Sequence, residues 1–346
     1  MTSTSVAATG SSVLDLLAWS RSLTDPGLRA AVETMPSELR LGVGYHLGWW
    51  DKDGVPAHGD GGKAIRPALV LLAARAVGGT AEHAVPAAVA VELVHNFSLV
   101  HDDIMDGDTV RRHRPTTWAA FGVPQAILVG DAMLALACQV LAKDGGVHAA
   151  EAVRWLSGYV LALCRGQSAD IAFENRAAVD LADCVAMAAD KTGALLSGAC
   201  ALGALMGGAT AGQVTRLSQF GRHLGMVFQL IDDLLGIWGS PQATGKPAGN
   251  DLLVGKKSLP VAAAVASGTQ AGDELAGYYA RAERPRPDEI GHLAMLVETA
   301  GGRDWARRTA DSELIAAEQQ LTAARCKPDA AGELLMLAHL IGHRDR

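Results

Sequence analysis

The chain is poor in several things that would point to common function classes. Its 346 residues hold only five cysteines (Cys138, Cys164, Cys184, Cys200 and Cys326), none at the spacing of a metal knuckle or disulfide framework. That argues against a stapled secreted fold and for a reducing cytoplasm. There is no excess of basic residues: net charge is −7, which excludes a general nucleic-acid binder. Alternating Val/Ile/Thr/Tyr runs of strand type are nearly missing, as is any Pro/Ser-rich linker. No secretory signal is visible; residues 1–12 are Ser/Thr/Ala/Gly-rich, lack an apolar core and read as a disordered tail. Gly193–Thr215 carries no charge and is long enough to span a bilayer, but its glycines and Ser197 favour a buried, closely packed helix over stable membrane insertion.

Long Ala/Leu/Val segments fill the space left by strands. Hydrophobic residues make up 49% and charged residues 19%, enough for a large core. Ala68–Val77, Ala87–Met105, Ala126–Ala142, Ala149–Cys164, Leu181–Leu205 and Gln213–Ile237 each suit a helix, with Gly-Gly pairs and Ser240-Pro241 between them. Length alone allows two domains, but residues 13–346 read as one all-α domain, a helical bundle with its site among facing helices. The Gly/Pro-rich segment from Ser240 to Lys257, basic at its end, reads as a mobile lid.

Two acidic clusters carry the chemistry. Asp102 and Asp106 are four apart and share a helix face, with Asp103 beside them and His95 two turns earlier. Acids at a helix C-terminus oppose the helix dipole, and like charges raise each other's pKa. Such a cluster makes sense around a small divalent cation, and magnesium, which takes one or two carboxylates plus substrate phosphates, is the natural candidate. Arg111-Arg112 follows within one loop, and guanidinium forks suit a diphosphate. Gln229, Asp232 and Asp233 repeat the pattern at i, i+3 and i+4. Lys191-Thr192 opens the uncharged stretch, while Lys246 and Lys256 lie in the candidate lid as mobile point charges. Gly61-Gly62-Lys63-Ala64-Ile65-Arg66-Pro67 lacks P-loop spacing, yet Lys63 and Arg66 could join His95 and Arg112 in a second anion pocket.

Taken in order, these motifs resemble those of the trans-isoprenyl diphosphate synthases (polyprenyl synthetases), most closely the actinobacterial geranylgeranyl diphosphate synthases. The matching pieces are residues 61–67, 102–106 with 111–112, 130–134 (Gly-Asp-x-x-Leu), 166–170 (Gly-Gln-x-x-Asp), 191–192, 228–233 and 245–260, spanning roughly residues 40 to 265. The resemblance implies an isoprenoid-synthase-type bundle with a central cavity between two Asp-rich motifs, usually as a homodimer. Carried over position by position, Asp102, Asp106 and Asp232 ligate Mg²⁺ (more than one ion), supported by Asp103 and Asp233. Arg111, Lys191, Thr192, Gln229, Lys246 and Lys256 hold an allylic diphosphate. Lys63, Arg66, His95 and Arg112 hold isopentenyl diphosphate, and Asp170 stands behind the ligands. Asp102, Asp103, Asp106, Arg111, Lys191 and Asp232 form the catalytic set. One departure is plain: the second motif reads Asp232-Asp233-Leu234-Leu235-Gly236, with glycine where the family usually has a third aspartate.

The implied reaction is head-to-tail prenyl transfer. Ser98, four before Asp102, is small and leaves room for a growing tail. Phe97 either narrows that pocket or packs in the core. In the family this pair goes with the twenty-carbon product, geranylgeranyl diphosphate. The alternatives are farnesyl diphosphate synthesis, a class I terpene cyclase, which needs no second diphosphate pocket, and a non-catalytic partner subunit, towards which only Gly236 points.

Overall fold

A computed structural model describes residues 12–57, 59, 62–174, 176, 178–240, 248–281 and 283–343. The helices in chain order are α1 Val13–Glu33, α2 Ser37–His46, α3 Ile65–Ala76, α4 Ala81–Met105, α5 Thr117–Phe121, α6 Val123–Asp144, α7 Ala149–Glu174, α8 Leu181–Ala188, α9 Ala194–Met206, α10 Ala211–Trp238, α11 Asn250–Leu253, α12 Leu259–Val265, α13 Gln270–Tyr279, α14 Ile290–Thr299, α15 Gly302–Ala323 and α16 Pro328–Gly342. Among the described residues the only sheet is a two-residue hairpin, β1 Val110–Arg111 against β2 Arg114–Pro115.

Local chemistry sets the ends of the longest helices. Ser12, assigned to the tail by composition, is instead the N-cap of α1, in a reciprocal capping box with Asp15. Thr210 and Gln213 form the same box at the start of α10. The uncharged Gly193–Thr215 stretch is therefore divided between two helices joined by a turn: α9 ends at Met206 and α10 begins at Ala211.

The core lies where α3, α4, α9 and α10 cross. All thirteen residues of α9 are buried, and Ala84, Ala87, Ala90, Leu93 and Val94 of α4 are fully shielded. Each large apolar side chain so placed contributes about 1.5–3 kcal/mol. A smaller cluster, with Ile237, Leu252, Val261, Leu275, Leu293 and Val297, joins the end of α10 to α11–α14. Two described helices, α4 and α6, are long and apolar enough to cross a membrane; 72% of the most apolar stretch of α4 is buried inside the protein, so it is a core helix, against 44% for α6.

The Leu181–Leu205 segment is helical throughout, as its pattern predicts, but Ala189–Gly193 forms a π-turn between α8 and α9. The wider turn contains Lys191 and Thr192, and such turns are frequent at functional sites.

Candidate active site

A cavity of about 500 Å³ opens between α4, α7, the π-turn and α10, a size suited to a small organic ligand. Of the residues singled out from the sequence, Lys63, Arg66, His95, Ser98, Asp102, Arg111, Arg112, Asp170, Lys191, Thr192, Gln229, Asp232 and Lys256 all line it. Leu99, Leu163, Met187, Leu195 and Phe228 give it an apolar interior. Lys246 and the 241–247 part of the expected lid lie outside the described residues.

The α4 wall ends in acids because the helix ends there. Asp102 faces the cavity, and Asp106 is the C-cap, its N–H bonded to the Asp102 carbonyl. Burial pushes the Asp102 carboxyl up to about 6; Lys191 opposes that shift and Asp106 adds to it. Burial also raises Asp106, against the pull of Lys191. Asp103 points away from the cavity. It is 1% exposed, accepts a hydrogen bond from Arg111 Nε at 2.7 Å, and is likewise raised to about 6 by burial despite that arginine.

The arginine pair is positioned by the hairpin, which no sequence pattern announces. Its two turn residues, Arg112 and His113, have φ of 49° and 61°. Left-handed backbone is uncommon for residues with a Cβ and costs about 1–3 kcal/mol. The turn sends Arg111 back to Asp103 and lays the Arg112 guanidinium against Gly62, whose φ of 86° and bare Cα permit the approach. Arg66 Nη1 lies 3.2 Å from His95 Nε2. Burial, then Arg66 and Arg112, hold the His95 pKa well below its usual value, so its ring is neutral. This end of the cavity is therefore cationic without a charged histidine.

The α10 wall is a closed hydrogen-bond chain. Thr192 Oγ1 donates to Gln229 Oε1 at 2.6 Å, and Gln229 Nε2 donates to Asp233 Oδ1 at 2.8 Å. Asp233, 2% exposed, also accepts from the Leu259 backbone N–H at 2.9 Å, at the N-terminus of α12. Lys256 Nζ sits 3.4 Å from Asp233 and 3.5 Å from Asp251. Burial disfavours its charge, but Asp233, Asp251 and Asp232 together hold its pKa well above the usual lysine value. Across the cavity Lys191 Nζ donates to Asp170 Oδ2 at 2.6 Å. Arg165 braces the π-turn through two 2.6 Å bonds to Asp190.

Three features differ from the sequence reading or escape it. Phe97 is not at the cavity wall: one residue along a helix turns about 100°, so it packs edge-on against His101 at 5.0 Å while Ser98 takes the wall position. Glu92 lines the cavity beneath His95, and its carboxylate accepts from Asn96 at 3.0 Å. Asn96 in turn meets His46 at 3.1 Å, whose ring burial pushes down to about 3. The i, i+3 spacing of Glu92 and His95 was the available signal for Glu92. Asp251 is the third, and it sits within the 245–260 motif.

Among the described residues no group of three or more His, Cys, Asp or Glu side chains closes into a ready cage for a metal. Asp102, Asp106 and Asp232 could each offer oxygens to a hard cation, with space between the walls for a ligand that bridges them.

A bundle with opposed acidic walls, a basic end and an apolar interior defines a class of enzymes acting on diphosphate esters of hydrophobic alcohols. The polyprenyl synthetase profile matches residues 57–295, and the chain belongs to that family. It is 45% identical over 334 residues to the (2E,6E)-farnesyl diphosphate synthase of Mycobacterium tuberculosis, covering 96% of this chain and 93% of the relative. It is also 45% identical over 332 residues to the geranylgeranyl diphosphate synthase of the same organism, covering 95% and 93%. The crystal structure of a polyprenyl synthetase from Streptomyces coelicolor A3(2) superposes with a TM-score of 0.91 at 45% identity, covering 95% of this chain and 99% of that one. The fold is thus the all-α isoprenoid synthase bundle, and the protein is a prenyltransferase of isoprenoid biosynthesis.

Proposed function

We propose that this prenyltransferase joins isopentenyl diphosphate head to tail to an allylic diphosphate and releases the twenty-carbon geranylgeranyl diphosphate. The observation that carries the reading is the division of one cavity into an acidic part, between Asp102 and Asp232, and a separate basic part, at Lys63, Arg66 and Arg112. Two diphosphates are thereby given two addresses. A cyclase, with one diphosphate to bind, has no use for the second.

The carboxylates fit magnesium. The donor set is all oxygen, and the burial-raised Asp102 is a carboxyl that a cation would relieve. Magnesium takes one or two carboxylates and completes its shell with phosphate oxygens and water. Asp102 and Asp106 would hold ions on one wall and Asp232 on the other. An ion held there would neutralise the diphosphate and make it a better leaving group.

Arg111, Lys191, Thr192, Gln229 and Lys256 then bind the allylic diphosphate, and Lys246 joins them from the 245–260 motif. Their donors face the oxygens on which charge builds as the allylic carbon–oxygen bond breaks. Lys63, Arg66, Arg112 and neutral His95 orient isopentenyl diphosphate so that its double bond attacks the allylic carbon. The new carbon–carbon bond leaves a cation, and its adjacent proton passes to the released diphosphate. Leu99, Leu163 and Leu195 keep water from that cation.

Ser98 sets the space for the tail. Its small side chain lines the cavity one turn before Asp102. The second reading is a fifteen-carbon product, favoured by the equal similarity to relatives of both names. Product analysis with isopentenyl diphosphate and each short allylic primer decides between them: twenty carbons support the proposal and termination at fifteen overturns it. Ser98→Phe should shorten the product by one isoprene unit; an unchanged spectrum removes Ser98 as a determinant. The chain also pairs as a homodimer through the apolar face of α6, where Ile127 and Leu128 are 42% and 53% exposed; a monomer mass by light scattering would refute this.

A further inference from the structure

One acid of the cavity stands away from the walls that suit a metal. Among the described residues four carboxylates line the cavity, and Asp102, Asp170 and Asp232 belong to the acidic part. Glu92 lies instead at the basic end, one turn below His95 on α4, and is 7% exposed. A buried anion beside an anion site works against the ligand, so Glu92 costs affinity there. The fold nonetheless supports its charge. Asn96, fully buried, donates through Nδ2 to the Glu92 carboxylate at 3.0 Å and to the Glu92 carbonyl at 2.8 Å. That fixes the amide and leaves Asn96 Oδ1 to accept from His46 Nε2 at 3.1 Å. The His46 ring is neutral, so its Nδ1 is an acceptor, with Thr117 Oγ1 at 3.5 Å. Thr117, His46 and Asn96 thus aim donors one after another at Glu92, from α5, α2 and α4. Burial raises the Glu92 carboxyl, while Asn96, Arg66 and Arg112 favour its charged form and Asp25, on a neighbouring cleft, opposes it.

We propose that Glu92 is a counter-charge that keeps the isopentenyl end weak enough to let go of each new diphosphate between rounds of addition. The assignment rests on the prenyl-transfer reading above. In that reading the allylic diphosphate is the one released. The lengthened product keeps the diphosphate of its isopentenyl half and is left at the basic end. Before another addition that group must cross to the acidic walls at Asp102 and Asp232. Lys63, Arg66 and Arg112 alone would retain it, and Glu92 offsets part of their attraction. Glu92 therefore acts through the arginines, as a positioning residue.

The test uses the full chain with isopentenyl diphosphate as the probe, in EDTA so that only the basic end binds, read by calorimetry. Glu92→Gln keeps the shape and still accepts from Asn96; it should bind about three- to tenfold more tightly, whereas Glu92→Asp should stay near the wild type. In rapid-quench single turnovers with magnesium and a ten-carbon allylic primer, Glu92→Gln should slow the second addition relative to the first by a similar factor. A purely structural role would weaken binding instead. Should Glu92→Gln lose its native circular dichroism, Asn96→Leu, which strips the carboxylate of its donors, should tighten binding in the same direction. Unchanged or weaker binding in the folded variant, or equal tightening in Glu92→Asp, would overturn the assignment while leaving the enzyme reading intact. A wild type that does not bind isopentenyl diphosphate would overturn the reading of two diphosphate addresses, and this assignment with it.

Discussion

On the α4 wall, Asp102 and Asp106 come from one helical turn and meet few partners, so burial leaves the Asp102 carboxyl near 6. On the α10 wall, Asp233 is saturated by Gln229, Lys256 and the Leu259 N–H, and Asp251 enters from another segment. The first wall is simple in sequence and electrostatically incomplete. The second is assembled from three segments, and Lys256 stands among its carboxylates. Asp102 in the first wall is thus buried at a cost in stability, whereas Asp233 in the second ties neighbouring segments together. Acidic motifs that look alike in sequence are doing different physical work.

The sharpest way to break this contrast is to remove acids from each wall and read activity and stability separately. Asp102→Ala should lower kcat by a hundredfold or more, about 3 kcal/mol of lost charge stabilisation, with no loss of melting temperature. Near-normal turnover would place the metal elsewhere. Asp233→Ala should cost about 1–3 kcal/mol of unfolding free energy, because it leaves the buried Leu259 N–H without its acceptor and removes one of the carboxylates around Lys256. Denaturant unfolding within error of wild type would show that the second wall is not structural.

The smallest effect has a sign that depends on pH. Asp102 has a folded pKa of about 6, above its ordinary 3.8, so the folded state disfavours the charged form. That penalty is absent below the unfolded pKa, grows as pH rises and is complete above about 6. In magnesium-free buffer Asp102→Asn should therefore stabilise the protein by about 1–2 kcal/mol at neutral pH and by nothing near pH 4. Parallel stability curves for the two proteins would remove the electrostatic cost from the first wall.

Much of this was legible in the sequence because helices convert spacing into geometry. Asp102 with Asp106, and Gln229 with Asp232 and Asp233, share faces by periodicity alone; the apolar runs around them predict α10 to within two residues of its ends but start α4 at Ala87, where the helix begins at Ala81. What spacing does not encode is chain reversal and contact between distant segments. The Arg112-His113 turn uses residues that rarely take left-handed backbone, so nothing in composition marks it. The π-turn at 189–193 depends on the packing of its neighbours. Asp251 packs against Gly236 only because α11 folds over α10. Phe97 was ambiguous for a related reason: the helix face opposite the cavity is as apolar as the cavity itself.

The most direct measurement is a crystal structure of the protein with manganese in place of magnesium and a bisphosphonate in place of the allylic diphosphate, located by anomalous scattering. Metal peaks beside both Asp102/Asp106 and Asp232, bridged by the bisphosphonate, are the result expected. A bisphosphonate bound in the cavity with no cation at either wall would contradict the account.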